Sequence, residues 1–183
     1  MDVTKSLEND MHRQRHVLDI ADRNSSGAMD EIILKNAIRG AGSMIEHQQQ
    51  PTFNTCMSAC IAMVASRPVD EVVDLWHEKF QSKGKWLDDA LDHYGIPYFY
   101  GHPKQGTLRN GFIYFLSVAS LNIVGGLHQV IAVLVEGEEP VFLDPVMGRP
   151  GSKYYVFGEP KTNNEVAIIS WTVDLAVPLA KNK

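Results

Sequence analysis

Helical periodicity comes first in this chain and strand texture second, and that order most narrows the folds open to it. Cys56 to Ala65 is almost wholly small or apolar, the pattern of a helix buried at the centre of a domain. Pro68 stands where a following helix would start, and Val69, Val72, Val73, Trp76 and Phe80 fall on one face of it. Trp86 to Tyr94 predicts a third, short helix closed by Gly95 at the capping position. From there the chain reads as strands: Ile96 to Tyr100, Phe112 to Val118, Leu127 to Val135, Val141 to Asp144, Tyr154 to Phe157 and Glu165 to Val173. Helices followed by strands predict an α+β domain, with N-terminal helices packed on an antiparallel sheet.

Length and charge set the outer bounds. At 183 residues the chain suits a compact domain that buries a core without staples, and a hydrophobic fraction of 44% argues against disorder. A formal net charge of −5 gives no electrostatic case for nucleic acid or for an anionic membrane. The N-terminus has no apolar core behind a basic flank, and no apolar run is long enough to span a bilayer. The expected location is the cytoplasm, or outside the cell by a route without a Sec signal.

Residues 1 to about 46 predict a polar helical arm, separate from a domain over 47–183. Leu7, Met11, Val17, Leu18 and Ala21 keep a loose helical spacing, interrupted at Asn24-Ser25-Ser26-Gly27 and resumed from Asp30 to Ile38. Eight acids against six bases in this arm exclude a basic targeting sequence.

The chemistry sits on a few residues. Cys56 opens its helix, with Thr52, Asn54 or Thr55 available as the N-cap, and the positive end of a helix favours thiolate over thiol. Cys56 and Cys60 lie four apart on one helix, where a disulfide is geometrically poor, so both are expected as free thiols. Leu127 to Asp144 reads as a hairpin turning at Glu136-Gly137. A three-residue loop there would set His128 directly opposite Asp144, with Cβ atoms about 5 Å apart. Carboxylate, imidazole and thiol then suit the roles of orienter, base and nucleophile. Gln50, six residues before Cys56, could donate its amide to an oxyanion beside the Cys56 backbone N–H; Gln48 and Gln49 are rivals.

The run Gln50-Pro-Thr-Phe-Asn-Thr-Cys56-Met-Ser-Ala-Cys60-Ile-Ala-Met-Val resembles the start of the bacteriocin-processing peptidases, papain-like domains that remove double-glycine leaders. His128-Gln-Val-Ile-Ala-Val and Phe142-Leu-Asp144-Pro145 resemble that family's histidine strand and Asp-Pro turn. The resemblance spans about 50 to 157. It implies a papain-like fold, with Cys56 as nucleophile, His128 as base, Asp144 as orienter and Gln50 in the oxyanion hole. Where the family usually has Asp-Cys-Gly, this chain has Thr55-Cys56-Met57, and the polar arm also sets it apart from exporter-linked members.

The expected activity is therefore cleavage of a peptide or isopeptide amide through a Cys thioester, with a protein or peptide as substrate and no cofactor. The same site on a glutamine side chain would make a deamidase or transamidase of toxin or effector type. A non-catalytic module that only binds a leader or partner is the third reading, and the presence of Cys56, His128 and Asp144 together weighs against it. Weaker signals are read structurally: Cys60 and the His12–His16 pair as non-ligands, Gly125-Gly126 as a loop entering a strand, Asp88 and Asp89 as an exposed helix face, and Tyr98 to Tyr100 as core or cleft wall.

Overall fold

The computed structural model describes residues 45–82, 84–101 and 108–179. The arm expected over 1–46 therefore lies outside the described residues, apart from its last two positions. Three helices lead. α1 (Cys56–Ala65) is buried along most of its length, as its apolar composition requires. α2 (Val69–Gln81) turns Val72, Trp76 and Phe80 inward, and Pro68 serves as its N-cap rather than its first helical residue. α3 (Leu87–His93) ends at Gly95, whose φ of 66° is the left-handed conformation that glycine adopts without penalty.

Strands β1 (Phe99–Tyr100), β2 (Phe112–Ala119), β3 (Leu127–Leu134), β4 (Val141–Leu143) and β7 (Thr172–Pro178) form one sheet in the order β1-β7-β2-β3-β4. Every neighbouring pair in it is antiparallel. β5 (Tyr154–Val156) and β6 (Glu165–Ala167) make a separate two-stranded ribbon, and that ribbon is parallel. The described residues are thus α+β, three helices on a mostly antiparallel sheet.

Several features differ from the sequence reading, and of the stretch expected as a strand over 96–100 only Phe99–Tyr100 pairs, with β7. The stretch expected as one strand over 165–173 is divided. β6 stops at Ala167, after which Ile168 N–H reaches the Val156 carbonyl, and β7 begins only at Thr172 and runs on to Pro178. β7 then takes a central place between β1 and β2. The hairpin register differs as well. β3 and β4 pair Ile131 with Leu143, Ala132 with Phe142 and Val133 with Val141, so the register is shifted by two residues from the one that would face His128 to Asp144. Gly137 is left-handed as expected (φ 80°), but the connection spans 135–140 instead of three residues. Glu138 N–H closes a turn on the Val135 carbonyl, and Pro140 has no N–H to extend the ladder.

Both faces of the sheet are covered. On one, Tyr114, Leu116, Val118, Val130, Ala132, Leu134 and Ala176 form a buried cluster overlain by Tyr155, Ile168 and Trp171. On the other, Phe115, Ile131 and Leu175 lie in register and are wholly buried. Burial of side chains of this size contributes about 2 kcal/mol each. α1 lies against β3, close enough for the Cys60 thiol to donate to the Gln129 carbonyl at 3.4 Å. That contact carries the start of the helix to the start of the strand.

Candidate active site

Position 56 is where the helix begins and position 128 is the second residue of β3, so α1 packing on β3 brings thiol and imidazole together. The N-cap is Thr55, but no side chain caps the helix. The Thr55 hydroxyl turns back instead, donating to the Thr52 carbonyl at 3.0 Å and accepting from Thr52 N–H at 3.1 Å. Cys56 is partly exposed at this uncapped end.

His128 is 8% exposed and Asp144 is 1% exposed. The imidazole Nε2 lies 2.7 Å from Asp144 Oδ1. A carboxylate oxygen accepts, so Nε2 carries the hydrogen and Nδ1 is left for the Cys56 sulfur. The contact forms although the two residues are not cross-strand partners. A two-residue slip keeps side chains on the same face, whereas a one-residue slip would have reversed them. Asp144 also sits just past the end of β4, where the chain is free to turn toward His128. Its carboxylate accepts two further donors, Val146 N–H at 2.9 Å and Tyr155 N–H at 2.8 Å. The Asp-Pro turn and the start of β5 therefore fix the carboxylate from two sides.

The electrostatics follow from these contacts. Burial on its own would raise the Cys56 thiol, but the hydrogen bond and charge of His128 and the backbone N–H groups of Gln129 and Met57 outweigh it, and the thiol is held below its ordinary value. Burial would likewise lower His128. The hydrogen bonds and charges of Asp144 and Cys56 prevail instead, and the imidazole is raised to about 9. Both shifts favour a thiolate–imidazolium pair.

Gln50 is 1% exposed, whereas Gln48 and Gln49 lie nearer the surface. Gln48 donates its amide to the Arg67 carbonyl and Gln49 to the Met147 carbonyl. Gln50 donates one amide hydrogen to the Thr52 carbonyl at 2.7 Å and keeps a second, while its Oε1 is buried without a partner. Of the three glutamines, Gln50 is thus the one enclosed beside the start of α1.

Among the weaker candidates, Cys60 is wholly buried and burial pushes its thiol well up. Gly125 has a φ of 71°, and a Cβ on Gly126 would lie 3.1 Å from the Ile123 side chain, so loop geometry accounts for both glycines. Asp88 and Asp89 depart from the exposed face expected of them. They are half-buried in the first turn of α3, where Asp89 accepts from Trp86 N–H at 2.9 Å and Asp88 from the Tyr100 hydroxyl. Tyr98 is core. His12 and His16 lie outside the described residues. Among the described residues no group of three or more His, Cys, Asp or Glu side chains is placed to hold a metal ion, and no helix is long and apolar enough to cross a membrane.

The sequence reading missed Gln129 and Arg149. Gln129 acts on Cys56 through its backbone, which no side-chain pattern betrays; its side chain donates to Asp174 at 3.1 Å. Arg149 lies in a turn and becomes visible only once that turn meets the Gln50 loop. No protein-family model, curated protein or solved structure matches this chain.

Proposed function

We propose that this chain is a papain-like cysteine hydrolase that cleaves a peptide or isopeptide amide through a Cys56 thioester. One observation carries the reading: His128 spends Nε2–H on a buried Asp144 and turns its other nitrogen to a thiol at an uncapped helix start. A purely structural histidine has no need of a lowered thiol opposite it.

In the proposed reaction the Cys56 thiolate attacks the amide carbon and the carbonyl electrons move onto oxygen. The second Gln50 amide hydrogen and the Cys56 backbone N–H receive that oxyanion. The tetrahedral species collapses, the C–N bond breaks, and His128 gives its Nδ1 proton to the departing amine. Water then attacks the thioester, His128 takes its proton, and the C–S bond breaks to return the thiolate. Asp144 holds the imidazole in the tautomer both halves require.

The test is the pH dependence of iodoacetamide labelling at Cys56 in the wild type and in His128→Ala. Rapid labelling well below pH 8 is expected in the wild type. In the variant burial is left unopposed by the imidazole, so the labelling limb moves to higher pH. An unshifted profile in the variant would show an ordinary thiol and end the catalytic reading.

A further inference from the structure

We infer that Arg149 is a positioning residue that sets where the Gln50 amide stands beside Cys56. The inference rests on the cysteine-hydrolase reading and adds to it a link between the two halves of the site. Arg149 Nη1 donates to the Gln50 carbonyl and to the Pro51 carbonyl, both at 3.2 Å. The guanidinium carbon stands 4.1 Å over the centre of the Phe53 ring. One side chain therefore grips three of the four residues from Gln50 to Phe53. Nη1 is thus shared between two successive carbonyls of the loop that leads to Cys56.

Arg149 belongs to the turn that follows Asp144. Met147 N–H closes on the Asp144 carbonyl at 2.9 Å and Arg149 N–H on the Val146 carbonyl at 3.0 Å. The segment before Cys56 is joined to that turn at further points. His47 Nε2–H donates to the Asp144 carbonyl at 2.8 Å, Gln50 N–H to the Pro145 carbonyl at 2.9 Å, and the Gln49 amide to the Met147 carbonyl at 3.1 Å. Gly148, at φ 84°, leaves room for that last contact, since a Cβ there would lie 3.3 Å from Gln49 Nε2. The turn that aims the carboxylate and the loop that carries the amide are thus one hydrogen-bonded unit.

Gln50 needs such support. Its Oε1 has no partner among the described residues, so its side chain is held by one hydrogen bond, to the Thr52 carbonyl, and the rest of its support comes through the backbone. Arginine suits the task because a planar guanidinium can lie on a ring and donate along its edge at once, whereas a lysine ammonium is a single point charge.

The experiment compares two reactions of Cys56. Iodoacetamide alkylation displaces iodide from carbon and develops no oxyanion. Acylation by p-nitrophenyl acetate forms the C–S bond through a tetrahedral oxyanion and expels p-nitrophenolate, and water then releases acetate. Arg149→Ala should slow acylation about tenfold, less than outright loss of an oxyanion donor, while alkylation stays within about twofold. Arg149→Lys should recover acylation only in part. In a Gln50→Ala background, Arg149→Ala should add nothing, because Arg149 acts through Gln50. Thermal melting checks each fold, and Arg149→Gln replaces Arg149→Ala if the latter does not fold. Equal losses in both reactions, an unchanged acylation rate, or a further loss in the Gln50→Ala background would overturn the inference alone. Wild-type acylation no faster than that of Cys56→Ala would overturn the hydrolase reading and this inference with it.

Discussion

Cys56 and Cys60 are the same residue type on the same helix, one turn apart, and their thiols are pushed in opposite directions. Burial raises both. What separates them is the polarity of what each sulfur meets on β3. Cys56 meets the His128 imidazole and the backbone N–H of Gln129, both of which favour a negative sulfur. Cys60 meets the other pole of the same residue: its thiol donates to the Gln129 carbonyl at 3.4 Å, and negative groups surround it. One residue of the sheet presents a donor to one thiol and an acceptor to the other. The opposite directions on this helix therefore follow from the facing partners, with the Met57 N–H of the helix start adding to them at Cys56.

Removing the support behind His128 is the most severe way to break the contrast. Asp144→Ala leaves a buried imidazole, the buried N–H of Val146 and the partly buried N–H of Tyr155 without their acceptor. Breaking a buried pair of this kind costs about 3–5 kcal/mol. Urea denaturation should show a loss of that order together with slower labelling at Cys56; a loss under about 1 kcal/mol would mean that solvent or another group replaces the carboxylate. The contrast can also be read directly. At pH 7 iodoacetamide should modify Cys56 about 100-fold faster than Cys60, a barrier difference of about 2.7 kcal/mol. Peptide mapping gives the ratio, and in the urea-unfolded chain it should fall to about one. Comparable rates in the folded protein would show that the facing partners do not govern the thiols.

How much of this was legible beforehand differs by element. Cys56, His128 and Asp144 could be read because each carries its chemistry in its side chain and stands at an element's start or end. The route by which His128 reaches Asp144 was misread, since the length of the 135–140 connection depends on Pro140 and on the Glu138–Val135 turn, neither of which leaves a periodic trace. The result survived because the error was an even number of residues. Most of β7 was missed because Asp174 interrupts the apolar run of an inner strand and Pro178 ends it in a residue that cannot extend a ladder. Gln50 stood out by spacing, but its unpartnered Oε1 and the Arg149 contact to its carbonyl exist only in three dimensions.

A milder change tests the other side of the comparison. Cys60→Ala removes one buried sulfur from the middle of α1 and should cost about 1 kcal/mol, at the low end of core truncations because the void is small. The pH profile of Cys56 labelling should keep its shape, shifted if at all toward lower pH, since Cys60 is a separate thiol facing the carbonyl. A profile displaced upward would mean that Cys60 supports the thiolate, and the two sulfurs would have to be treated as one system.

The smallest effect comes from the pair itself. His128 is raised above the ordinary histidine value of 6.5, so its contribution to stability is fully present below pH 6.5 and is lost as pH rises through about 9. Cys56 is lowered from 9.0, so its contribution is absent at low pH and grows as pH rises through its folded value toward 9. The two slopes oppose each other across neutral pH, because a thiolate–imidazolium pair holds as many protons as a neutral thiol and a neutral imidazole. Wild-type stability should therefore change little from this source between pH 6.5 and 9. Cys56→Ala removes one of the opposing slopes and leaves Asp144 alone to raise His128 against burial. Its stability should fall above pH 6.5 where that of the wild type stays flat, as read from urea midpoints at pH 6 and pH 8. A parallel pH dependence in the two proteins would show that Cys56 and His128 titrate independently, and Cys56 would then differ from Cys60 only in its place at the end of the helix.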